Sequence, residues 1–536
     1  MLVRQEATGS DTSTMPPHAN ASAITQQQVS LIFCTLVVLF ISSELYHGRI
    51  SFHLHDQVHR THQISTVSAV LQFLFTGLTA FYHTTLLSFT SEYVHYWPHK
   101  DSVSGVVALH ICAIFSAHCI AVIYKVCVIL YKVLRYRRLT RSGLTGENRK
   151  QGTTPRRILI VHASVGSGHK RAAEAVEEAL RARYAEEDSS VEIKVLDVVD
   201  SMEWFLKTIY KDGFMSLVTK DWGAAFVGLM FEKSNQAAPG ITVGETGYLQ
   251  TLIEESFLLD FVECIFNFQP DIVVNTHFLS TKVLSHMRNS ISSFEIPHVT
   301  VVTDFDVHAY WAVSPCERFF VARDECRHAL EQFGVPSTRI TITGMPVVRA
   351  FSHSLPSRAA CLSELELDGS LPVILLMAGG DDVFETYKEL LSMTTPVQIA
   401  LVCGRFKALR KKLEDIPVPL HHKVKIEGFT KMMHFYLQSA DVIITKPGGL
   451  TTAESLATGT AMAIYHSLPG QEMRNADMVL EEGAGFKISD SKMLAYKVEK
   501  VIKDKDSLER MKANAKRIGS TTAADVVAEF VFRGDF

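Results

Sequence analysis

Apolar positions follow two regimes along this chain. Before residue 135 they form long, almost uninterrupted runs, and after residue 155 they form short runs separated by helical patterns. The long runs cover residues 29–46, 64–89 and 103–134. A bilayer core takes about 20 apolar residues as helix, so each run is expected to span. The first is the shortest and starts too late, with no basic segment before it, for a cleavable signal peptide. Residues 1–28 are polar and read as a disordered N-terminus, and residues 135–155 as a basic linker.

After residue 155, strands are expected at residues 157–163 (RILIVHA), 191–198, 271–276 (DIVVNT), 298–303 (HVTVVT) and 318–322 (RFFVA). A second series is expected at 372–377 (PVILLM), 398–403 (QIALVC), 424–427, 441–445 (DVIIT) and 461–465 (AMAIY). Fully apolar strands alternating with helical patterns imply parallel sheets covered by helices. The composition turns to Pro, Ser and charge around 345–370, which divides the soluble part into domains 156–350 and 351–536. Ligands of such sheets bind beyond the carboxyl ends of the strands.

Charge supports the split into two regimes. Net charge is −4, but residues 1–150 hold 12 Lys/Arg against 7 Asp/Glu and 11 of the 23 His. The whole-chain balance argues against a nucleic-acid-binding protein. Lys125, Lys132, Arg135, Arg137, Arg138 and Arg141 gather at the end of the third apolar run. By the positive-inside rule that end faces the cytoplasm or a plastid stroma, against anionic headgroups. His55, His59 and His62 share one helical face, but no second His box accompanies them, so no metal site is expected. The nine Cys contain no C-x-x-C pair, which excludes a zinc or disulfide framework.

Four loops at strand ends carry candidate chemistry. In residues 163–170 (ASVGSGHK), Gly166 and Gly168 open a helix N-terminus to an anionic or polar ligand, and His169 is a candidate general base. This is neither a P-loop nor a full dinucleotide fingerprint. In residues 446–454 (KPGGLTTAE), Gly448, Gly449 and Thr451 suit a diphosphate, and Glu454 offers two acceptor oxygens to a ribose diol. Residues 468–475 (LPGQEMRN) place Gln471, Glu472 and Asn475 where sugar hydroxyls would be read. In residues 303–311 (TDFDVHAYW), Asp304 is a candidate to orient the base or contact the acceptor, a helix N-cap being its competing role. Trp204, Tyr210 and Trp222 lie in a greasy, Lys-bearing stretch (204–231) that suits a membrane interface.

Those segments resemble the diacylglycerol glycosyltransferases and monogalactosyldiacylglycerol synthases, relatives of the lipid-linked N-acetylglucosamine transferase of peptidoglycan synthesis. The resemblance covers about residues 156–490, and the ordered KPGG…PGQE…N set is its most specific part. It implies an α/β GT-B fold of two facing Rossmann-like domains; the apolar runs add, before it, an all-α membrane region of about three transmembrane helices. It implies a UDP-galactose or UDP-glucose donor, a diacylglycerol acceptor, inversion at the anomeric carbon, and neither cofactor nor divalent cation. His169 becomes the acceptor-side base. Gly448 and Gly449 border the diphosphate, Glu454 holds ribose, and Gln471, Glu472 and Asn475 hold the sugar or diphosphate. Gly404 and Phe429 line the nucleobase pocket.

The chain departs from the pattern in three ways. Residues 378–384 (AGGDDVF) carry Asp381 and Asp382 where a Gly-rich run is usual. Phe406 replaces an Asn after C-G-R. The spans lie outside the family's usual peripheral attachment. The leading expectation is a multi-pass membrane hexosyltransferase with its catalytic domains on the cytoplasmic or stromal side, its oligomeric state open. The alternatives are a related UDP-sugar transferase to another lipid (from UDP-N-acetylglucosamine, or to a sterol or ceramide), a non-catalytic membrane-tethered nucleotide-sugar sensor, and a nucleotide-sugar epimerase.

Overall fold

The computed structural model describes residues 154–164, 168–202, 258–291, 294–352, 355–377 and 383–536. It also describes Cys127, Tyr131, Leu134, Arg135, Arg138 and Asn235. The three apolar runs (apart from Cys127, Tyr131 and Leu134), the His55–His59–His62 face, Gly166, Trp204, Tyr210, Trp222 and the Asp381–Asp382 loop lie outside the described residues. Among the described residues no helix is long and apolar enough to cross a membrane. The chain divides into two units, Met1–Tyr131 and Lys132–Phe536. Of the first, Cys127 and Tyr131 are described, both helical.

The second unit holds two parallel six-stranded sheets. The first is built from β1 (Arg157–His162), α1 (Gly168–Glu186), β2 (Glu192–Asp197), α2 (Leu259–Phe268), β3 (Ile272–Asn275), α3 (Phe278–Ser290), β4 (His298–Val301), β5 (Arg318–Val321), α4 (Asp324–Gln332) and β6 (Ile340–Ile342). After α5 (Arg358–Glu364) the second is built from β7 (Val373–Met377), α6 (Val383–Leu391), β8 (Gln398–Val402), α7 (Lys407–Glu414), β9 (Lys423–Glu427), α8 (Met433–Ser439), β10 (Val442–Thr445), α9 (Gly449–Thr458), β11 (Ala461–Tyr465), α10 (Gln471–Glu481) and β12 (Gly485–Ile488). The helices α11 (Leu494–Lys503), α12 (Lys505–Ile518) and α13 (Ala523–Arg533) end the chain.

The strand orders are β2-β1-β3-β4-β5-β6 and β12-β11-β10-β7-β8-β9. Each order reverses once, between β1 and β3 in the first sheet and between β7 and β10 in the second. These reversals create the crevices where open α/β sheets take ligands. The central strands β1, β3, β4, β7, β8, β10 and β11 are buried along nearly their whole length, which is why they read as continuous apolar runs. β6 and β12 were not anticipated. Both are short edge strands of three or four residues with half-exposed faces, too brief to form a run.

The halves share apolar packing. One buried cluster runs from Ile160 and Val274 through Met345 and Phe351 to Leu375, Ile443 and Ile464, and takes in Val527 and Val531 of the last helix. That helix crosses back to the first half. Glu529 of α13 accepts from Arg183 Nε of α1 at 2.6 Å, and the Arg183 guanidinium lies over the Phe532 ring at 4.0 Å. Two parallel-sheet Rossmann-like halves joined in this way agree with a GT-B arrangement.

Candidate functional site

His169 lies one residue into α1, beyond the end of β1, and Thr276 and His277 follow β3 directly. Both therefore sit at the reversal point of the first sheet. His169 Nδ1 is 2.9 Å from the Thr276 carbonyl and 2.7 Å from Thr303 Oγ1. A carbonyl can only accept, so Nδ1 carries the proton and Nε2 is left with its lone pair. The Thr303 hydroxyl in turn donates to the Thr276 carbonyl at 3.4 Å, and Thr276 Oγ1 donates to the His169 carbonyl at 2.9 Å. The ring also meets His277 edge-on, with centroids 4.6 Å apart. Burial lowers the His169 pKa to about 4; the Thr276 carbonyl opposes this and nearby His162 adds to it. The imidazole is therefore neutral at pH 7, as a proton acceptor must be.

Beside it runs an aromatic ledge. His277 stacks on Phe278 at 4.3 Å, and Phe278 approaches Tyr310 at 5.6 Å and Trp311 edge-on at 5.8 Å. Tyr310 is about half exposed, while Trp311 is buried.

At the reversal point of the second sheet, β10 ends and α9 begins with Gly448 as its N-cap. No side chain caps that helix and no acid occupies its first turn. Its first backbone N–H groups can thus serve an anion. A Cβ on Gly449 would lie 2.6 Å from the Thr303 carbonyl and 3.5 Å from Asp304 Oδ1. Only glycine allows the α9 N-terminus to approach the loop after β4 this closely. Gly449→Ala should push the halves apart there. Overpacking of this kind costs about 1–3 kcal/mol, so thermal unfolding of that variant should shift to lower temperature. An unchanged Tm would mean that the contact is not kept in solution.

Glu454, on the second turn of α9, is 4% exposed. Burial pushes its carboxyl up to about 7, and Arg171 of α1, with Nη2 3.8 Å from Glu454 Oε1, opposes the rise. Asp304 is also raised to about 7, by burial first and then by Asp306, with a Gln471 hydrogen bond opposing. It caps no helix: the short 3-10 turn that follows, Ala309–Trp311, takes His308 as its N-cap.

The helix α10 carries the remaining predicted sugar residues and holds the loop after β4. Gln471 Nε2 donates to the Asp306 carbonyl at 2.8 Å, and Arg474 Nη1 donates to Asp306 Oδ2 at 2.7 Å. Asn475 Oδ1 accepts from the Phe305 amide at 3.2 Å, and its Nδ2 donates to the Pro447 carbonyl at 3.2 Å. Both ends of that buried amide are thus engaged by backbone, one from each half. Glu472 accepts from the Leu468 amide at 2.8 Å, and burial raises its pKa. Gly404, at φ +58°, and Phe429 lie at the ends of β8 and β9. Phe429 is exposed, and the Arg405 guanidinium sits 5.3 Å from its ring centroid.

The structure thus gathers His169, Asp304, Gly449, Gln471 and Asn475 at one contact between the halves, with Gly168, Gly448, Thr451, Glu454 and Glu472 beside it. Sequence reading gave no role to Arg171, Thr276, His277, Asp306 and Arg474, and none to Thr303 beyond its place in the loop after β4. The Thr-His and Thr-Asp pairs closing DIVVNT and HVTVVT were the available signal for three of them.

The monogalactosyldiacylglycerol synthase family profile matches residues 169–347, and the glycosyltransferase family 28 C-terminal domain matches residues 381–529. A processive diacylglycerol beta-glucosyltransferase of Bacillus subtilis (strain 168) is 30% identical over 274 residues, covering 51% of this chain and 71% of that protein. One from Bacillus cereus (strain B4264) is 28% identical over 370 residues, covering 68% and 89%. Among solved structures, MurG of Acinetobacter baumannii matches at 14% identity with a TM-score of 0.43, covering 70% of this chain and 99% of that one.

Proposed function

This chain belongs to the diacylglycerol glycosyltransferase and monogalactosyldiacylglycerol synthase family, and from that premise we propose that it transfers a hexose from a UDP-sugar to 1,2-diacylglycerol with inversion. The observation that carries the reading is the state of His169. Its Nδ1 faces the Thr276 carbonyl and the Thr303 hydroxyl, an arrangement that suits a proton on Nδ1 and leaves Nε2 to accept one, and the loop that touches it through Thr303 abuts the N-terminus of α9.

In this reading the donor lies along the second half. The N–H groups of α9 beyond Gly448 and Gly449 take the diphosphate, with Thr451 adding a hydroxyl, and Glu454 takes the ribose diol. Phe429 and the Gly404 turn flank the base. Gln471, Glu472 and Asp304 face the sugar, and Asn475 holds the loop after β4 in register with it. The primary hydroxyl of the acceptor approaches from the first half over the Phe278–Tyr310 ledge, with Gly168 leaving space. Its oxygen bonds to the anomeric carbon as the bond from that carbon to the diphosphate oxygen breaks. The hydroxyl proton passes to His169 Nε2, and UDP leaves with its new charge at a helix N-terminus. The leaving group is served by backbone dipoles, so no divalent cation is required.

We place the catalytic halves on the cytoplasmic or stromal face of a membrane, anchored by the three apolar runs, and we assign Gly166, Trp204, Tyr210 and Trp222 to acceptor and membrane binding from the sequence. Purified full-length protein in detergent, given diacylglycerol micelles and radiolabelled UDP-glucose or UDP-galactose in parallel, should yield a monohexosyl lipid from one donor and keep its rate in EDTA. Label released from UDP without appearing in lipid, or UDP binding with no turnover of either donor, would overturn the proposal.

A further inference from the structure

The reaction above requires two groups carried on different halves to meet within a fraction of an ångström. His169 is held by the loop after β4, through Thr303. The sugar is read from α10, in the other half. An error of 1 Å in such an arrangement can cost about 10²-fold in rate. What fixes the distance therefore matters as much as the groups themselves.

Besides the Gln471–Asp304 hydrogen bond, the loop after β4 and α10 share three contacts of known geometry among the described residues. Two use groups already assigned to the site: the Gln471 side chain on the Asp306 carbonyl and the Asn475 amide on the Phe305 N–H. The third is an ion pair that no catalytic step uses, Arg474 Nη1 to Asp306 Oδ2 at 2.7 Å. Both side chains are about 31% exposed, so the pair sits at the rim of the contact rather than in a core. Arg474 is one turn beyond Gln471 on the same helix, and Asp306 is two residues beyond Asp304 on the same loop. Gln471 must be able to turn toward a sugar hydroxyl, and when it does its grip on the loop weakens. The Arg474–Asp306 pair has no such second task. It is bound by neither donor nor acceptor in the proposed arrangement, so it can hold the loop throughout turnover.

We infer that Arg474 and Asp306 form a positioning pair that sets the gap between His169 and the sugar-reading face of α10, without touching either substrate. This deepens the proposed function and rests on it.

The test uses full-length protein in detergent with UDP-hexose and diacylglycerol. Arg474→Ala and Asp306→Asn should each lower kcat by roughly 10- to 100-fold, with both KM values and UDP affinity by calorimetry within about two-fold of wild type. The double variant should lose no more than either single one, because the contact is already gone. The reversed pair, Asp306→Arg with Arg474→Glu, should recover most of the lost kcat. A role in folding alone would lower Tm and would not separate kcat from KM. Arg474→Lys, which keeps the charge, should retain more activity than Arg474→Ala and guards against simple misfolding.

Single variants with wild-type kcat would overturn the inference. So would a loss of UDP affinity matching the loss of kcat, which would make Arg474 a donor ligand, or additive losses in the double variant. If the wild-type protein itself makes no glycolipid, the functional reading fails first, and that result is distinct from any of these.

Discussion

His169→Ala should lower kcat by about 10²–10⁴-fold, the usual share of a general base, and leave UDP affinity near that of wild type. A primary alcohol has a pKa far above neutrality, so its proton must leave as the glycosidic bond forms. Among the described residues the base best placed for it is Nε2 of His169, whose other nitrogen lies 2.9 Å from the Thr276 carbonyl. The pH dependence carries a second signature. Burial holds the imidazole pKa to about 4, below its ordinary value of 6.5, so in the free enzyme the base stays competent down to about pH 4. In kcat/KM the wild type should show a final acidic fall near pH 4 that His169→Ala lacks. The stability consequence has a definite sign: the folded state favours the neutral ring, so that contribution is complete above pH 6.5 and lost as pH falls through about 4. Near-wild-type turnover by the variant would transfer the role to Asp304. Loss of UDP affinity instead would put the α1 loop in the donor site.

The outcome for each element follows from how locally its cause is encoded. β1, β3, β7 and β10 are buried on both faces, so their composition alone identifies them, and the loop residues that follow them come as a consequence. His169, Gly448 and Glu454 are readable because a strand end, a Gly pair and a helix start adjoin in sequence. The partners of these groups are not. Thr276 and Thr303 are 107 and 134 residues away from His169, and Arg171 meets Glu454 only because α1 of the first half packs against α9 of the second. Asn475 shows the same limit from the other side. An amide at a loop-to-helix junction suits a sugar hydroxyl, yet here both its ends are taken by backbone from opposite halves. No local pattern distinguishes the two uses. Hydrophobic periodicity also cannot order strands, so neither reversal point was available until the sheets were seen.

Glu454→Gln should raise the donor KM by about 10- to 150-fold, because a charge-assisted hydrogen bond is worth roughly 1.5–3 kcal/mol. The two ribose hydroxyls donate, and a carboxylate accepts both where an amide offers one acceptor oxygen. Acceptor KM and kcat should move little, the mark of binding that is equal in ground and transition states. The same residue makes donor binding pH-dependent. Burial raises the carboxyl to about 7 despite Arg171, so much of the unliganded protein at pH 6 carries the neutral acid, a poorer acceptor. Donor KM should therefore fall as pH rises from 6 to 8 in the wild type and stay flat in the variant. Stability runs the opposite way. A folded pKa above the unfolded one gives a contribution that is complete below about 4.5 and lost as pH rises through about 7. Glu454→Gln removes the buried charge, so without donor its Tm should drop less than that of wild type between pH 5 and pH 8. Saturating UDP-sugar should restore the wild type at pH 8 and help the variant less. Equal damage to donor and acceptor KM would take Glu454 out of the ribose site, and a variant with the wild-type pH dependence would assign the titration near 7 to Asp304.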